Sequence, residues 1–500
     1  MSKIIESIIQ NPGKYKLREH QEAALYLAEN KPNYALLWEM GSGKTFSAIT
    51  ITRMRYAQEG RRMRTLILSP LITLSNWKNE WGMFSPYKKE TIHVLNQASS
   101  KKKAEYLRKN LSSNGTALDI PDVVICNYDG IITPDLAQAL MDFNPEVVIL
   151  DEFHLVKSVK AKRTKVARIL SEKAKYKIML SGTAILNSCS DIFAPWLILD
   201  KGETFGDNIY VFQSKYMIDE NAKWKGQRNY FPNMVSNKKM TGELHEKIFR
   251  KADRKTTNEC VDLPPFIEQI IEVDASPEQK KYYNDMMKLH LAFIEEHNGK
   301  PQASTANLAL TKSLRLQEIA AGYLKLDNGE IVEFKTNPRM DATKELVENI
   351  MEEGEKVIIW TNFIKTYDML SKMLDSIKVK HVMITGQQNI KEKDEAIQSF
   401  ENDPEVRVVI ANSQSAGVGI NLIAAKFSIV YSRDFSLANY LQAKARNFRG
   451  GSEIHDKIIR YELALSKSID YITLQALQNK MNLSELIIDR KKLIAEGSLK

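Results

Sequence analysis

The chain has 500 residues, of which 43% are hydrophobic and 27% are charged, a composition typical of a globular protein with roughly two to four domains. No apolar run reaches the ~18 residues that a membrane span needs, so we expect no membrane partner. The three cysteines are widely spaced and form no Cys-x-x-Cys pair, which argues against a zinc site and for a reducing compartment such as the cytoplasm or nucleoid. The net charge of +9 is a mild excess, compatible with a polyanionic partner.

Short β-rich runs alternate with helical patterns along the chain. Those of the first half are Tyr34–Leu37, Thr65–Leu68, Val123–Cys126, Val147–Leu150 and Lys177–Leu180. Those of the second half are Lys356–Trp360, His381–Ile384, Val406–Ile410 and Ser428–Tyr431. Apolar strands separated by helices predict parallel sheets that are covered on both faces. We therefore expect an α/β protein with two doubly wound parallel-sheet domains.

The boundary between these domains is predicted near Val261–Pro265, where two prolines stiffen the chain. The domains are then residues 1–260 and 261–500. A polar and aromatic insertion is expected at about 201–250 in the first domain. A helical insertion is expected at about 276–345 in the second, where Ser276 suits an N-cap and Pro277 the first helical position.

A glycine-rich turn, Glu39-Met40-Gly41-Ser42-Gly43-Lys44-Thr45, stands between the first β-rich run and a helical stretch. Such a turn aims backbone N–H groups at a phosphate chain. Lys44 would reach the β- and γ-phosphates, and the Thr45 hydroxyl would hold Mg²⁺. The strict pattern also requires a glycine where this chain has Trp38, so a chance match stays open on this motif alone.

Two acids, Asp151 and Glu152, follow the run Val147–Leu150 directly. An NTPase needs this arrangement, with Asp151 binding Mg²⁺ through water and Glu152 polarising the attacking water. The alternative is a strand end with exposed acids. After the next strand come Ser181, Gly182 and Thr183, which could sense loss of the γ-phosphate or form an ordinary tight turn.

The second half offers a complementary set of residues. A segment with Gly417 and Gly419 follows the strand Val406–Ile410, and Gln442, Arg446 and Arg449 come later. The two arginines are three apart, so we expect them on one face of a helix. Two guanidiniums aimed together would neutralise transition-state charge on a triphosphate bound between the domains. A pair of surface arginines is the alternative.

Residues 157–177 are rich in lysine and arginine and include a single acidic residue, Glu172. The segment is either the solvated face of a helix or a track for a phosphate backbone.

From about Lys16 to about Ile488, these motifs resemble superfamily-two nucleic-acid-dependent ATPases, and among them the Swi/Snf-like translocases. Leu17-Arg18-Glu19-His20-Gln21 resembles the Leu-Arg-x-x-Gln element, which implies that Arg18 and Gln21 bind the nucleotide and that Gln21 reads adenine. Glu39–Thr45 resembles Glu-Met-Gly-Leu-Gly-Lys-Thr of a family that lacks the earlier glycine. Residues 442–449 resemble Gln-Ala-x-x-Arg-x-x-Arg.

The same resemblance implies RecA-like domains, a C-terminal helical brace and further site residues. Coupling between the domains would involve His154, Ser181, Gly182 and Thr183. Nucleic-acid contacts would come from Pro70, Ser75, Asn76, Trp77, Asn127, Tyr128, Thr361, Asn362, Gly386, Ser413 and Gln414. Departures from the family pattern, Phe153, Ala184 and Ala445, remove no catalytic side chain.

The implied function is ATP- and Mg²⁺-dependent movement along nucleic acid, with double-stranded DNA favoured. Replication, repair, transcription or chromatin-like proteins are compatible partners, and a phage, viral or bacterial origin, with the host cytoplasm as its compartment, is compatible too. A strand-separating helicase is the first alternative, with the aromatic and basic segment Trp224–Met234 as its wedge. A nucleotide-gated clamp that barely hydrolyses ATP is the second.

Overall fold

The computed structural model describes residues 3–11, 15–86, 91–111, 122–225, 233–296, 303–326, 328–413 and 420–488. The chain divides into two compact units. The first comprises Met1–Glu220, Asn233–Val261 and Asn482–Lys500, and the second comprises Asn221–Pro232 and Asp262–Met481. Among the helices within the described ranges, none is long and apolar enough to cross a membrane.

The first unit is built on a parallel sheet. Its strands are β1 (Asn33–Trp38), β2 (Thr65–Ser69), β3 (Ile92–Val94), β4 (Val123–Asn127), β5 (Val147–Asp151), β6 (Tyr176–Leu180), β7 (Met217–Asp219), β8 (Met234–Ser236) and β9 (Ala252–Lys255). Seven of them form the main sheet in the order β3-β4-β2-β5-β6-β1-β9, and every neighbouring pair is parallel. Strands β7 and β8 form a separate antiparallel hairpin in the predicted insertion.

Helices connect and cover these strands. They are α1 (Lys3–Gln10), α2 (Glu19–Ala28), α3 (Lys44–Glu59), α4 (Leu74–Phe84), α5 (Ser100–Leu111), α6 (Pro134–Phe143), α7 (Lys162–Glu172), α8 (Phe193–Asp200), α9 (Ile209–Tyr216), α10 (Thr241–Phe249) and α11 (Thr257–Cys260). Helix α1 buries Ile5 and Ile8.

Alternation along each strand divides the buried side chains between two hydrophobic cores. In β5, Val148 and Leu150 belong to one core, whereas Val147 and Ile149 belong to the other. Successive side chains of a strand point to opposite faces, so both faces of this sheet are covered. This is why the strands read as continuous apolar runs in the sequence.

The second unit has the same construction. Its strands are β10 (Phe266–Val273), β11 (Tyr323–Lys325), β12 (Ile331–Glu333), β13 (Val357–Trp360), β14 (His381–Ile384), β15 (Val408–Ala411), β16 (Phe427–Val430) and β17 (Ile458–Leu465). Six strands form a parallel sheet in the order β10-β17-β16-β13-β15-β14, and β11 and β12 form an antiparallel hairpin. The helices are α12 (Pro277–Glu296), α13 (Ala303–Ala320), α14 (Pro338–Glu352), α15 (Ile364–Ser376), α16 (Ile390–Asn402) and α17 (Leu437–Lys444). Helix α18 (Ile469–Ile488) begins in this unit, and its residues from Asn482 onward belong to the first.

The predicted α/β class with two parallel sheets is confirmed, and each of the nine predicted runs overlaps a strand. The helical insertion begins as expected, because the Ser276 hydroxyl accepts the Gln279 N–H at 3.2 Å and starts α12. Four strands of the two main sheets were not predicted, namely β3, β9, β10 and β17. Each is short or mixes polar with apolar residues, so a search for apolar runs does not detect it.

A buried ion pair anchors α18, the predicted C-terminal brace. Arg339 at the start of α14 contacts Asp470 in the first turn of α18, and Arg339 also donates to the Tyr431 carbonyl at 2.9 Å. Burial by itself would raise the pKa of Asp470, but Arg339, Arg433 and the Leu465 N–H outweigh it, so the pKa is lowered.

We expect Asp470→Asn to lower the free energy of unfolding by about 3–5 kcal/mol at neutral pH, because it leaves the Arg339 charge buried without its partner. Urea unfolding provides the measurement. Since the folded pKa is lowered, this contribution is complete above the unfolded value of about 4 and is lost as pH falls toward the folded value. As a control, Glu395→Gln removes an exposed pair with Lys391 and should change stability by less than about 0.5 kcal/mol. Equal effects of the two variants would contradict the anchoring role.

Candidate functional site

The carboxyl ends of the strands in the first unit meet at one edge of the sheet. The register pairs Leu180 of β6 with both Leu36 of β1 and Asp151 of β5, so the loops that follow these strands begin side by side. In open α/β sheets, ligands bind at this edge. The predicted phosphate loop, acidic pair and Ser181–Thr183 segment all follow these strands.

The phosphate loop is a tight turn between β1 and α3. Gly41 and Gly43 have φ values of 81° and 80°, a left-handed conformation that glycine adopts without strain. The Ser42 hydroxyl donates to the Glu39 carbonyl at 2.7 Å, and helix α3 begins at Lys44. The turn therefore leads directly into the N-terminus of a 16-residue helix, which is the arrangement that suits a phosphate group.

Two side chains of the Leu17–Gln21 element hold this turn from one side. The Gln21 amide donates to the Gly43 carbonyl at 3.2 Å, and a His20 ring nitrogen lies 2.8 Å from the Ser42 carbonyl oxygen. A Cβ atom at position 43 would lie 2.5 Å from the Gln21 nitrogen and would displace this amide, and the positive φ of Gly43 also favours glycine. The prediction that Gln21 reads adenine stays a prediction, because in this structure its amide supports the loop.

Lys44 folds back over the loop. Its ammonium group donates to the carbonyls of Trp38 and Glu39, each at 2.9 Å. Thr45 is partly buried in the first turn of α3. Burial raises the pKa of the Asp151 carboxyl group, and the Lys44 charge offsets a small part of this rise, so the loop and the acidic pair share one electrostatic environment.

Asp151 ends β5 and is held by two donors. Its Oδ2 accepts the Ser69 hydroxyl at 2.9 Å and the Trp77 indole N–H at 2.8 Å. Burial and the neighbouring Glu152 charge nevertheless raise the pKa of Asp151 to about 6. A nearby cation would stabilise the charged form of this carboxylate and lower its pKa.

Glu152 and the coupling residues form a buried polar cluster. Glu152 has a φ of 48°, an unusual conformation for a residue with a side chain. Its Oε2 lies 3.2 Å from His154 Nδ1 and accepts the Ser181 hydroxyl at 3.4 Å. The Thr183 hydroxyl lies 3.4 Å from the same His154 nitrogen. Hydrogen bonds thus join the end of β5 to the loop that follows β6.

The donors at this edge fit a hydrated Mg²⁺ beside a triphosphate. Mg²⁺ prefers oxygen ligands and keeps several waters, and it is usually bound by one or two carboxylates with substrate phosphates. Thr45 and Asp151 supply a hydroxyl and a carboxylate, and Lys44 supplies a cation for the phosphates. Their roles as ligands remain predictions, as does that of Met40 in the loop.

Five residues predicted to contact nucleic acid have buried side chains: Trp77, Asn127, Tyr128, Thr361 and Ser413. Their contact with nucleic acid stays a prediction. Trp77 and Tyr128 are each 2% exposed, and Thr361 is 0% exposed. Trp77 binds Asp151, and the Tyr128 hydroxyl donates to the Asp151 carbonyl at 2.7 Å. These two side chains hold Asp151, the predicted metal ligand, instead of forming an outer surface.

The other predicted contacts of the first unit divide by burial. Asn127 is buried and accepts the Lys103 ammonium at 2.8 Å, so its side chain supports the fold. Ser75 is exposed, and Pro70 and Asn76 are partly exposed. Contact of these last three residues with nucleic acid stays a prediction.

In the second unit, one expectation is wrong. Helix α17 ends at Lys444, so Arg446 and Arg449 lie in the turn beyond it and share no helix face. Arg446 is 5% exposed and donates to the Ile420 carbonyl at 2.9 Å. The chain ends this helix earlier than the spacing suggested, because the turn leads toward Gly450 and Gly451.

The remaining predicted residues of the second unit differ in exposure. Gln442 and Ser413 are buried, Gly386 is exposed, and the Ser413 hydroxyl donates to the Asn362 amide oxygen at 2.9 Å. Gln414, Gly417 and Gly419 lie outside the described residues, as does most of the predicted wedge Trp224–Met234.

Some residues at the site were not predicted from the sequence. Thr257 carries no local signature, and neither Ser69 nor His20, although each lies within a motif, was given a role. Ser69 could have been found from its position, because it ends an apolar strand just as Asp151 does.

The fold and this site define an α/β protein of the phosphate-loop nucleotide-binding class. Family models then match most of the chain: the SNF2-related domain matches residues 20–321, and the helicase conserved C-terminal domain matches residues 339–451. The chain belongs to the SNF2-related family.

Several curated proteins are similar to this chain. A chromatin-remodelling ATPase of the ISWI type from Arabidopsis thaliana is 24% identical and covers 97% of this chain, which spans 44% of the relative. A protein described as an uncharacterized ATP-dependent helicase from Mycoplasma genitalium is 25% identical over 89% of this chain and 39% of its own length. The chain therefore spans less than half of either relative.

Among solved structures, the SWI2/SNF2 ATPase core of Sulfolobus solfataricus in complex with double-stranded DNA is similar to this chain. The identity is 22%, the coverage is 97% of this chain and 96% of that one, and the TM-score is 0.42.

Trp77→Phe should shift the acid limb of Mg²⁺-dependent activity to higher pH. The indole N–H lowers the pKa of Asp151, so its removal should move that pKa upward from about 6. Asp151 would then be protonated at a higher pH. Protonated Asp151 binds Mg²⁺ poorly, so the activity would also be lost at a higher pH. A pH profile of kcat provides the measurement, and Trp81→Phe in the same helix is the matched control. Unchanged profiles in both variants would show that the bond to Asp151 is unimportant.

Proposed function

We propose that the protein is an ATP-dependent translocase that couples hydrolysis to movement along double-stranded DNA, or to remodelling of protein–DNA complexes or branched DNA. The observation that carries this proposal is the meeting of the phosphate loop and the acidic pair at one sheet edge. Membership of the SNF2-related family supports it. The chain spans less than half of the length of these relatives, so their activities and partners are only proposed for it.

In the proposed mechanism, the chain binds and orients the triphosphate. Lys44 exchanges its two carbonyl partners for phosphate oxygens, while the glycine turn offers backbone N–H groups. Thr45 and Asp151 would hold Mg²⁺, which neutralises phosphate charge when bound. Glu152, fixed by the buried cluster around His154, accepts a proton from the attacking water.

The same cluster could pass a conformational change that accompanies hydrolysis from Glu152 to the loop after β6. Ser181 and Thr183 contact Glu152 and His154, so a change at the water-activating acid moves the loop after β6. Arg446 and Arg449 of the second unit are proposed to complete the nucleotide site, with the segment near Val261 as the domain boundary. Release of Arg446 from Ile420 would be needed for this role.

The proposed partner is DNA. Several curated relatives carry chromatin-remodelling names. Proteins of replication, repair, transcription or chromatin-like assemblies are proposed as further partners. The proposed location is inside the cell. Pro70, Ser75 and Asn76, which lie on or near α4, are the first-unit contacts that the structure leaves at least partly accessible.

Lys44→Ala should abolish DNA-stimulated ATP hydrolysis and leave folding intact, because it removes the cation expected at the phosphates. Steady-state phosphate release should be measured with double-stranded DNA, single-stranded DNA and RNA side by side. Double-stranded DNA should stimulate wild-type turnover most. The urea midpoint of the variant should match that of the wild type.

Three results would overturn parts of this proposal. DNA-stimulated turnover in Lys44→Ala would remove the phosphate loop from the mechanism. A wild-type protein that binds DNA in the presence of ATP but hydrolyses almost none would be a nucleotide-gated clamp. Strand displacement without triplex displacement would identify a helicase and not a double-strand translocase.

The basic helix α7 should contribute a salt-dependent part of DNA affinity. Its exposed residues include Lys162, Lys165 and Arg168, and Arg163 pairs with Asp129, next to the predicted contact segment, at 3.4 Å. Replacing the three exposed residues by glutamine should reduce the slope of log K against log salt by about 2 to 3, because each phosphate contact contributes roughly 0.9.

The matched control for α7 carries the same charge change elsewhere. Lys325, Lys372 and Lys380 are exposed residues of the second unit, and their replacement by glutamine should leave the slope nearly unchanged. Equal slopes for the wild type and the α7 variant would show that this helix face is only solvated.

A further inference from the structure

Thr257, the first residue of α11, lies against the phosphate loop although 218 residues separate it from Glu39. Its backbone N–H donates to Glu39 Oε2 at 2.9 Å. Its hydroxyl lies 3.0 Å from the Met40 carbonyl oxygen and 3.2 Å from the same Glu39 carboxylate oxygen. Thr257 is 6% exposed. One buried residue thus holds two consecutive positions of the loop.

The backbone around Thr257 is tied to the same loop. Strand β9, which ends two residues before Thr257, pairs in parallel with β1, and the Glu39 N–H donates to the Lys255 carbonyl at 2.9 Å. The Arg18 guanidinium, from the predicted adenine element, lies 3.4 Å from the Cys260 carbonyl oxygen at the end of α11. Both predicted nucleotide elements therefore contact this four-residue helix.

Helix α11 directly precedes the point where the chain leaves the first unit. Val261, the residue after α11, is the last of its segment in the first unit, and Asp262 begins the second. A rearrangement of the loop would act on α11 through Thr257 and would be passed to the segment that leaves the unit.

We infer that Thr257 is a positioning residue that fixes the phosphate loop for nucleotide and links its conformation to the segment at Val261. The inference rests on the proposed function, since it requires the loop to bind a nucleotide. Thr257 acts through Glu39 and Met40 and is not itself expected to touch the nucleotide.

The neighbouring threonine provides a matched control. Thr256 caps α11, and its hydroxyl donates to Glu259 at 3.0 Å without reaching the loop. Thr257→Val removes the loop-binding hydroxyl at nearly constant volume, Thr257→Ser keeps it, and Thr256→Val removes a hydroxyl one residue away. The urea midpoints of all three full-length variants should first be compared with that of the wild type.

Two readouts other than turnover test the inference. The first is the Kd for a fluorescent ADP analogue with Mg²⁺. The second is the rate at which N-ethylmaleimide modifies Cys260, with and without Mg²⁺–ADP. Cys260 is partly exposed at the end of α11, whereas Cys126 and Cys189 are buried, so the chain carries its own reporter.

We expect Thr257→Val to weaken binding of the ADP analogue roughly three- to tenfold, the equivalent of about one lost hydrogen bond. In the wild type, saturating Mg²⁺–ADP should slow modification of Cys260 by roughly tenfold or more. Bound nucleotide should stabilise the phosphate loop and α11, which contacts it, against local opening. Thr257→Val should reduce this protection. Thr257→Ser should restore both properties, and Thr256→Val should leave both at wild-type values.

The failures can be told apart. Wild-type affinity and protection in Thr257→Val would overturn the positioning role while leaving the proposed function standing. Equal losses in Thr256→Val and Thr257→Val would overturn it too, because they would show a general effect of α11. A wild type that binds the ADP analogue but shows no protection of Cys260 would overturn the link to Val261. A wild type that binds no nucleotide would overturn the proposed function, and this inference with it.

Discussion

The burial of each main sheet on both faces is the constraint on which the rest of the structure depends. A strand with apolar side chains on both sides can satisfy its backbone only through its neighbours, and parallel strands bring their carboxyl ends to one edge. Polar residues can follow immediately beyond that edge. In the first unit this places the phosphate loop, Asp151 and Ser181 together, although they are far apart in the sequence.

Asp151 links the nucleotide chemistry to the predicted DNA-binding segments. Burial opposes its charge, and the bonds from Ser69 and Trp77 partly compensate. Trp77 belongs to α4, which also carries Ser75 and Asn76, and Tyr128 follows β4 and binds the Asp151 backbone. A displacement of either segment would therefore change the environment of Asp151. In the proposed function, this would be the physical basis for stimulation of hydrolysis by DNA.

The second unit uses buried charges differently. Arg433 and Arg460 both pair with Glu462 on β17, at 2.9 and 2.6 Å, and Arg339 pairs with Asp470. Breaking a buried pair is costly because the remaining charge would be buried without a partner and without solvation. Arrangements of the strands and α18 that separate these pairs are therefore disfavoured. Arg446, by contrast, donates to a neutral acceptor, the Ile420 carbonyl.

The sequence by itself determined the class of fold, nine strands and the phosphate loop with its acidic pair, because apolar runs and local motifs reflect short-range chemistry. It did not determine where side chains point. Trp77 and Tyr128 lie within motifs that predict nucleic-acid contact, yet packing turns both toward Asp151. The end of α17 and the role of Thr257 were also decided by tertiary structure. A residue without a motif gains its role only when a distant segment supplies a partner, and no local pattern records that contact.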